Sequence, residues 1–321
     1  MTSSADRIRK KYLAFAENEA KGVSPIYEGF TRAVAEDEAC IEFLANLPEP
    51  KQQPNLPLAA VRKHHGLASS PEEFLDWVIS DLGQIRATMI ERATQTNEAN
   101  RCATLLPILA SLPQPLALLE VGASAGLCLF PDCYNYRYGD RVLTSGDSDA
   151  PEFHCEASAT TPIPKKLPAV TWRAGLDLNP LDVMDADSMD WLKLLIWPEQ
   201  ENRRLNLDRA VSAVRKQPPQ LVRGDLTSDL HRLMASAPGD ANLVVFHSAV
   251  LAYVRDRDAR DRFVDTMTSS RATWISNEYP AVFPDIASKL PFEPPKNKFL
   301  LAVNGDPVAL TGPHGQSLDW L

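Results

Sequence analysis

The stretch LLEVGASAGL at residues 118–127 has the residue types and spacing for two different chemistries. Gly122-x-Ser124-x-Gly126 has the spacing that lifts a nucleophilic serine onto a strand-to-helix elbow. Glu120-x-Gly122-x-Ser124-x-Gly126 places an acid at a strand end that feeds a small-residue loop of the kind that wraps a nucleotide-like ligand. The nucleophile reading needs an acid and a histidine further along, and Asp225 or Asp240 followed by His247 or His314 supplies that order. Its context is wrong, because such an elbow follows several strands whereas Ser124 follows a helical region, and a carboxylate at Glu120 repels an emerging oxyanion. A serine hydrolase using Ser124 is the lesser alternative. A dinucleotide fingerprint fails as well, since it needs glycines where the chain has Ser124 and Leu127.

Other reactive groups recur just after apolar runs. Asp177 lies in RAGLDLNP, Asp225 in LVRGDL, and His247 with Ser248 in VVFHSAV. Ligands of open α/β sheets bind beyond the carboxyl ends of the strands. A nucleoside offers ribose hydroxyls and an exocyclic amine as donors, and an amino-acid tail offers an ammonium, so acceptors at neighbouring strand ends suit both. His247 is the candidate general base, with Ser248 and Tyr253 beside it to orient an acceptor; a satisfied buried hydrogen bond is the plainer role for such a histidine. The polar cluster TQTNEANRCA brings Gln95, Asn97, Glu98 and Arg101 to a helix boundary, where they close a substrate pocket or form a solvated helix start capped by Thr96 or Asn97. Gln52, Gln53 and Asn55 have the same two readings, and Asn277 and Glu278 in SNEY either face the acceptor or are solvated in a loop. His64, His65 and His154 lack metal-ligand spacing, and no metal is expected.

The elements that must position these groups fall into two blocks. Residues 1–112 have helical periodicity and read as a helical cap domain: Ile8, Tyr12 and Phe15 share a face, and Ser70, Pro71 and Glu73 form a helix-start signature with a capping box. Residues 113–321 alternate short apolar runs with helical patterns. Strands are expected at 116–121, 169–174, 219–225, 242–248 and 272–278, and helices around 125–133, 189–216 with a break at Pro198, 228–235 and 256–268. An aromatic, turn-rich insertion spans about 134–168, and Asn304-Gly305 between two apolar runs predicts a terminal hairpin. The fold class is therefore α/β, a doubly wound, mainly parallel, Rossmann-like sheet with a C-terminal antiparallel hairpin and an N-terminal helical domain.

A net charge of −9 argues against a broad phosphate-backbone footprint and favours a small-molecule partner over nucleic acid. Five scattered cysteines, never in C-x-x-C spacing, fit a reducing compartment. No apolar run approaches the ~18 residues of a membrane span, so no membrane partner and a cytoplasmic location are expected. Nothing in the sequence fixes an oligomeric state.

LLEVGASAG, GLDLNP, VRGDL, VVFHSAVLAYV and the terminal hairpin together resemble the class I S-adenosylmethionine-dependent methyltransferases. With QTNEANRCA, WLKLLIWPEQENRR and DPVALTGPHG, nearly the whole chain resembles a bacterial family known as domain of unknown function 2332. The superfamily resemblance implies S-adenosylmethionine as cofactor, with Glu120, Gly122, Ser124 and Gly126 around its methionine part, Asp177 on the ribose hydroxyls and Asp225 on the adenine amine. Two positions depart from the pattern. Ser124 replaces the usual middle glycine, so a Cβ must be accommodated. Asp177 follows the loop by about fifty residues rather than the ~20 of a compact unit, and the insertion explains the excess. The expected activity is methyl transfer to an unidentified small molecule; the alternative from another class is a non-catalytic S-adenosylmethionine-binding protein.

Overall fold

The computed structural model describes residues 3–95, 97–254 and 256–321. The chain divides into two compact units, residues 1–96 with 186–204, and residues 97–185 with 205–321.

The first unit is helical: α1 (Ser4–Phe15), α2 (Pro25–Glu36), α3 (Glu38–Ala45), α4 (Asn55–His65), α5 (Pro71–Ser80) and α6 (Leu82–Glu91). Side-chain caps begin several of them. Ser3, Ser24 and Asp37 each accept a backbone N–H three residues on, satisfying donors that the first turn of a helix leaves unpaired. Ser70 caps α5 through Glu73 N, but the Glu73 carboxylate accepts from Ser69 N rather than from Ser70, so the capping box is displaced by one residue. Ile8, Tyr12 and Phe15 are buried as their spacing predicts, in a core that Tyr27, Phe30, Phe74 and Met89 complete. Each such side chain contributes roughly 1.5–3 kcal/mol by leaving water.

The second unit starts with α7 (Cys102–Ser111) and β1 (Leu116–Val121). The insertion follows as β2 (Asn135–Tyr138), β3 (Arg141–Leu143), β4 (Glu152–His154) and β5 (Glu156–Ala157); the first three form a small separate sheet. After β6 (Val170–Asp177), helix α8 (Ala186–Leu195) belongs to the helical unit. There the Asp187 carboxylate pairs with Lys63 and Arg92, and Trp191 is buried in the helical core. Then come α9 (Glu201–Arg215), β7 (Gln220–Arg223), α10 (Leu230–Met234), β8 (Asn242–Ser248), α11 (Arg257–Ser269), β9 (Thr273–Glu278), α12 (Pro284–Ala287), β10 (Phe299–Val303), β11 (Asp306–Thr311) and β12 (Ser317–Trp320).

Nine strands form one mostly parallel sheet in the order β5-β12-β11-β10-β9-β8-β1-β6-β7. All six residues of β1 are buried, which is why LALLEV shows no polar alternation. The strand order reverses at β1: the chain runs outward through β6 and β7, then returns to the other side of β1 as β8. Such a reversal separates the connections on the two sides and marks the carboxyl ends of β1 and β8 as the place for a ligand. The terminal hairpin forms as expected. Asn304 and Gly305 both have positive φ, 52° and 81°, as a two-residue turn between antiparallel strands requires.

The helix expected at 125–133 does not form; a single 3-10 turn, Leu127–Leu129, stands in its place. Gly122, Ser124 and Gly126 all have positive φ, a pattern that propagates no right-handed helix, and Pro131 follows directly. Among the described residues, no helix is long and apolar enough to cross a membrane.

Candidate functional site

Strand alternation sorts the reactive side chains at the carboxyl edge onto two faces. Glu120 is paired with Phe246 and Ser248 with Asn277, and residues two apart on a strand share a face. Glu120, Ser248 and Asn277 therefore lie on one face of the sheet, and His247 and Glu278 on the other.

On the first face Glu120 is 5% exposed, and its Oε2 has no hydrogen-bond partner. Burial pushes its carboxyl well above the ordinary carboxylate range, the neighbouring Cys128 thiol and Asp177 push the same way, and the Arg101 guanidinium opposes them. Arg101 is itself 7% exposed. Its Nε donates to Pro313 O at 2.9 Å and its Nη1 to Ser248 O at 2.9 Å, and no carboxylate comes within ion-pair distance of it among the described residues. Two features hold Arg101 there. Glu98 caps the 3-10 turn Ala99–Arg101, and Asn100 Nδ2 donates to His314 O at 2.8 Å, which ties the turn to the loop after β11. That loop approaches so closely that a Cβ on Gly315, where φ is 76°, would lie 2.3 Å from Asn100 O. Beside Arg101, Thr311 Oγ1 donates to Asn277 Oδ1 at 2.8 Å, and Asn277 Nδ2 donates to Ser248 Oγ at 3.1 Å. This polarised chain leaves the Ser248 hydroxyl hydrogen free to donate onward.

The loop after β1 is clamped from both sides. Asp177, at the end of β6, accepts from Ser124 N at 2.8 Å and from Asn179 N at 2.7 Å. Asn97 Oδ1 accepts from Leu127 N at 3.0 Å, so Asn97 shapes the loop. The glycines are required by packing: a Cβ on Gly122 would lie 2.3 Å from Val250 Cγ2, and one on Gly126 would lie 2.8 Å from Pro219 Cγ. Ser124 keeps φ 49° at some conformational cost, and its buried Oγ has no hydrogen-bond partner. A nucleophilic serine needs a hydrogen-bonded base, and no described histidine supplies one. Asp225 is exposed beyond β7 and holds its own turn, accepting from Thr227 N at 2.8 Å.

On the opposite face, His247 is fully buried. The Trp274 indole N–H donates to its Nε2 at 3.0 Å, and its Nδ1 lies 2.8 Å from Glu278 Oε1. An indole only donates, so Nε2 is bare and Nδ1 carries the proton given to Glu278. Neither ring nitrogen is left for an acceptor's proton, which corrects the expectation that His247 is a base. Glu278 is likewise turned inward: the same Oε1 also accepts from Val250 N at 2.9 Å and Leu251 N at 3.0 Å, folding the loop after β8, where Ala249 has φ 57°. Asn277 is fully buried in the chain described above, so neither residue of the SNEY pair faces solvent. Tyr253 is 73% exposed. Gln95 is half-buried in the helical unit, and Thr96 lies outside the described residues.

The structure thus gathers Glu98, Arg101, Glu120, Ser124, Asp177 and Ser248 at the carboxyl edge around the strand-order reversal. Thr311, Pro313, Cys128 and Val250 were not singled out from sequence; only the motif DPVALTGPHG pointed toward the first two. Among the described residues, no cluster of His, Cys, Asp and Glu is arranged to hold a metal.

A mixed α/β protein with a buried acid, a buried arginine and a clamped loop at its sheet edge is the class that these features define. Residues 9–320 match the family described as uncharacterized protein conserved in bacteria (DUF2332), and the chain belongs to that family. No curated protein and no solved structure matches the chain.

Proposed function

We propose that this chain is an S-adenosylmethionine-dependent methyltransferase acting on a small molecule, with a Rossmann-like sheet of class I methyltransferase type. The observation that carries this reading is the row of carboxylates Glu120, Asp177 and Asp225 at the ends of β1, β6 and β7, three strands adjacent in the sheet. The row spans two interstrand spacings, about 10 Å, along the edge where an open sheet binds its ligand. The strand order β7-β6-β1-β8-β9 is that of the first five strands of a doubly wound nucleotide-binding sheet.

The residues present fit the cofactor's donors. Glu120 Oε2 is a buried acceptor without a donor, as the methionine ammonium requires. Asp177 keeps lone pairs beyond its two backbone bonds for ribose hydroxyls, and Asp225 is accessible to an exocyclic amine. When bound, the cofactor would supply an electrophilic methyl group on a sulfonium. The chain's own part is to hold and orient both reactants in line, which lowers the barrier without covalent participation.

One observation favours a second reading, a non-catalytic S-adenosylmethionine-binding protein: His247, the histidine at the end of β8, is committed to Trp274 and Glu278. Incubation with methyl-labelled S-adenosylmethionine and a panel of small acceptors separates the two. Label on any acceptor supports the transferase; saturable binding with no transfer supports the binding protein.

A further inference from the structure

Acceptors and donors at the carboxyl edge are sorted by strand. The acids Glu120, Asp177 and Asp225 follow β1, β6 and β7, from the strand of the reversal to one edge of the sheet, whereas β8, β9 and β11 lie on the other side of β1. On that side the polar groups present donors. Arg101 gives one N–H to Pro313 O and one to Ser248 O, so three of the five guanidinium N–H groups have no acceptor among the described residues. Its Nη2 is not among the sealed atoms that lack a partner, so a ligand can reach it although the residue is 7% exposed. Ser248, whose carbonyl Arg101 grips, ends β8, and its Oγ accepts from Asn277 Nδ2, whose Oδ1 accepts from Thr311 Oγ1. The hydrogens of that chain all run toward Ser248, whose own hydroxyl hydrogen has no acceptor among the described residues. A guanidinium kept from water without a counter-ion is costly, and a hydroxyl hydrogen aimed at nothing adds to that cost. Phe299 lies beside the guanidinium, 5.7 Å from its carbon to the ring centroid, and Tyr279, 41% exposed, packs edge-on to Phe299 at 4.4 Å.

We infer that Arg101 and Ser248 form a subsite for the carboxylate of a second substrate, a small monocarboxylic acid whose apolar part rests on the Phe299-Tyr279 pair. A carboxylate is planar, carries one charge and accepts through both oxygens, which matches one guanidinium beside one hydroxyl. A phosphate monoester, with a charge of about −1.5 to −2, exceeds the single positive charge of this pair, and an amine would set its own donors against these. The binding of the acid does not depend on the methyltransferase reading; its role as methyl acceptor rests on that reading. In that role a carboxylate oxygen would bond to the methyl carbon as the carbon's bond to sulfur breaks, with the electron pair left on sulfur. The products are a neutral methyl ester and a thioether, and no proton has to be removed, which agrees with His247 being committed to Trp274 and Glu278.

The test is calorimetric titration of the full chain, at fixed ionic strength, with benzoate, phenylacetate, hexanoate and octanoate, with the primary amide of each, and with S-adenosylhomocysteine. The same titrations are run on Arg101→Gln, Arg101→Lys and Ser248→Ala. The expected result is that at least one acid binds wild type about tenfold or more tightly than its amide, the worth of a charge-assisted hydrogen bond. Arg101→Gln removes that preference, Ser248→Ala reduces it, and Arg101→Lys, which keeps the charge, retains part of it, while S-adenosylhomocysteine binds all four proteins within about twofold. The subsite is overturned if no acid is preferred to its amide, or if the preference survives both Arg101→Gln and Ser248→Ala. A loss of S-adenosylhomocysteine binding in Arg101→Gln as large as the loss of acid also overturns it, since the guanidinium then serves the nucleoside. If wild type binds an acid through Arg101 and Ser248 but not S-adenosylhomocysteine, the subsite stands and the cofactor reading fails; if it binds S-adenosylhomocysteine and no acid, the reverse holds.

Discussion

Glu120 sits where a carboxyl is expensive to ionise, and that expense sets a sign for stability. Its folded-state pKa is raised above the unfolded value, so between the ordinary carboxylate range, near ~4.3, and the raised value the native state holds a proton that the unfolded chain has released. The contribution of Glu120 to stability is therefore fully present at low pH and is lost as pH rises through that window. Glu120→Gln should stabilise the protein at pH 8 by on the order of 1 kcal/mol, with little effect at pH 4.5, as urea denaturation at the two values would show. The same substitution should weaken any cationic ligand, and wild-type binding of such a ligand should release a proton, seen as a buffer-dependent heat. A variant less stable than wild type at pH 8 would contradict this. Glu278 has the opposite character. One of its oxygens accepts from His247 and from two backbone N–H groups, and Glu278→Ala leaves all three donors, two of them in buried bonds, without that acceptor. A loss of about 3–5 kcal/mol is expected from equilibrium unfolding, with Glu278→Gln, which keeps an acceptor oxygen, losing less.

At the scale of elements, the loop 122–126 owes its shape to two requirements, left-handed backbone and space for Val250 and Pro219. Gly122→Ala should cost more than 1 kcal/mol, because the new Cβ meets Val250 at 2.3 Å and φ is 74°. Adding Val250→Ala should return the steric part and leave the backbone part, so a melting curve of the double variant that falls below both singles would refute this division. The strands around the loop were legible in the sequence because buried parallel strands are short continuous apolar runs: 116–121 and 242–248 coincide with β1 and β8. The missing helix at 125–133 was not legible, since nothing in the residue type announces that Ser124 adopts positive φ. The hairpin turn was, because Asn-Gly carries its own conformational preference. The inward turn of His247 and Glu278 was hidden for a related reason. Pattern places a residue at a strand end, and only the paired strand, Trp274 and the loop after β8 decide which face it serves.

For the whole molecule, the acids at the strand ends and Arg101 in TQTNEANRCA could each be singled out from sequence, but what holds Arg101 at the sheet edge could not. Arg101 is held by carbonyls 147 and 212 residues away in the chain, partners that no local spacing reveals. The same distance makes the C-terminal loop part of the edge: Gly315 lets it approach Asn100, so Gly315→Ala should displace Arg101 and weaken ligand binding more than it lowers stability. The division of the chain carries a similar lesson, since α8 belongs to the helical unit although it follows β6, drawn by Asp187 and Trp191.

The central claim is that carboxylates at adjoining strand ends hold an adenosyl ligand. A ligand that binds only the native state, present at a hundred times its dissociation constant, stabilises by about 2.7 kcal/mol, which raises the melting temperature of a unit this size by roughly 5–10 °C. Melting the wild-type protein and Asp177→Ala side by side with saturating S-adenosylmethionine is therefore the most direct measurement. A rise of that order in wild type, and a much smaller one in the variant, is predicted; unchanged melting of the wild-type protein would contradict it.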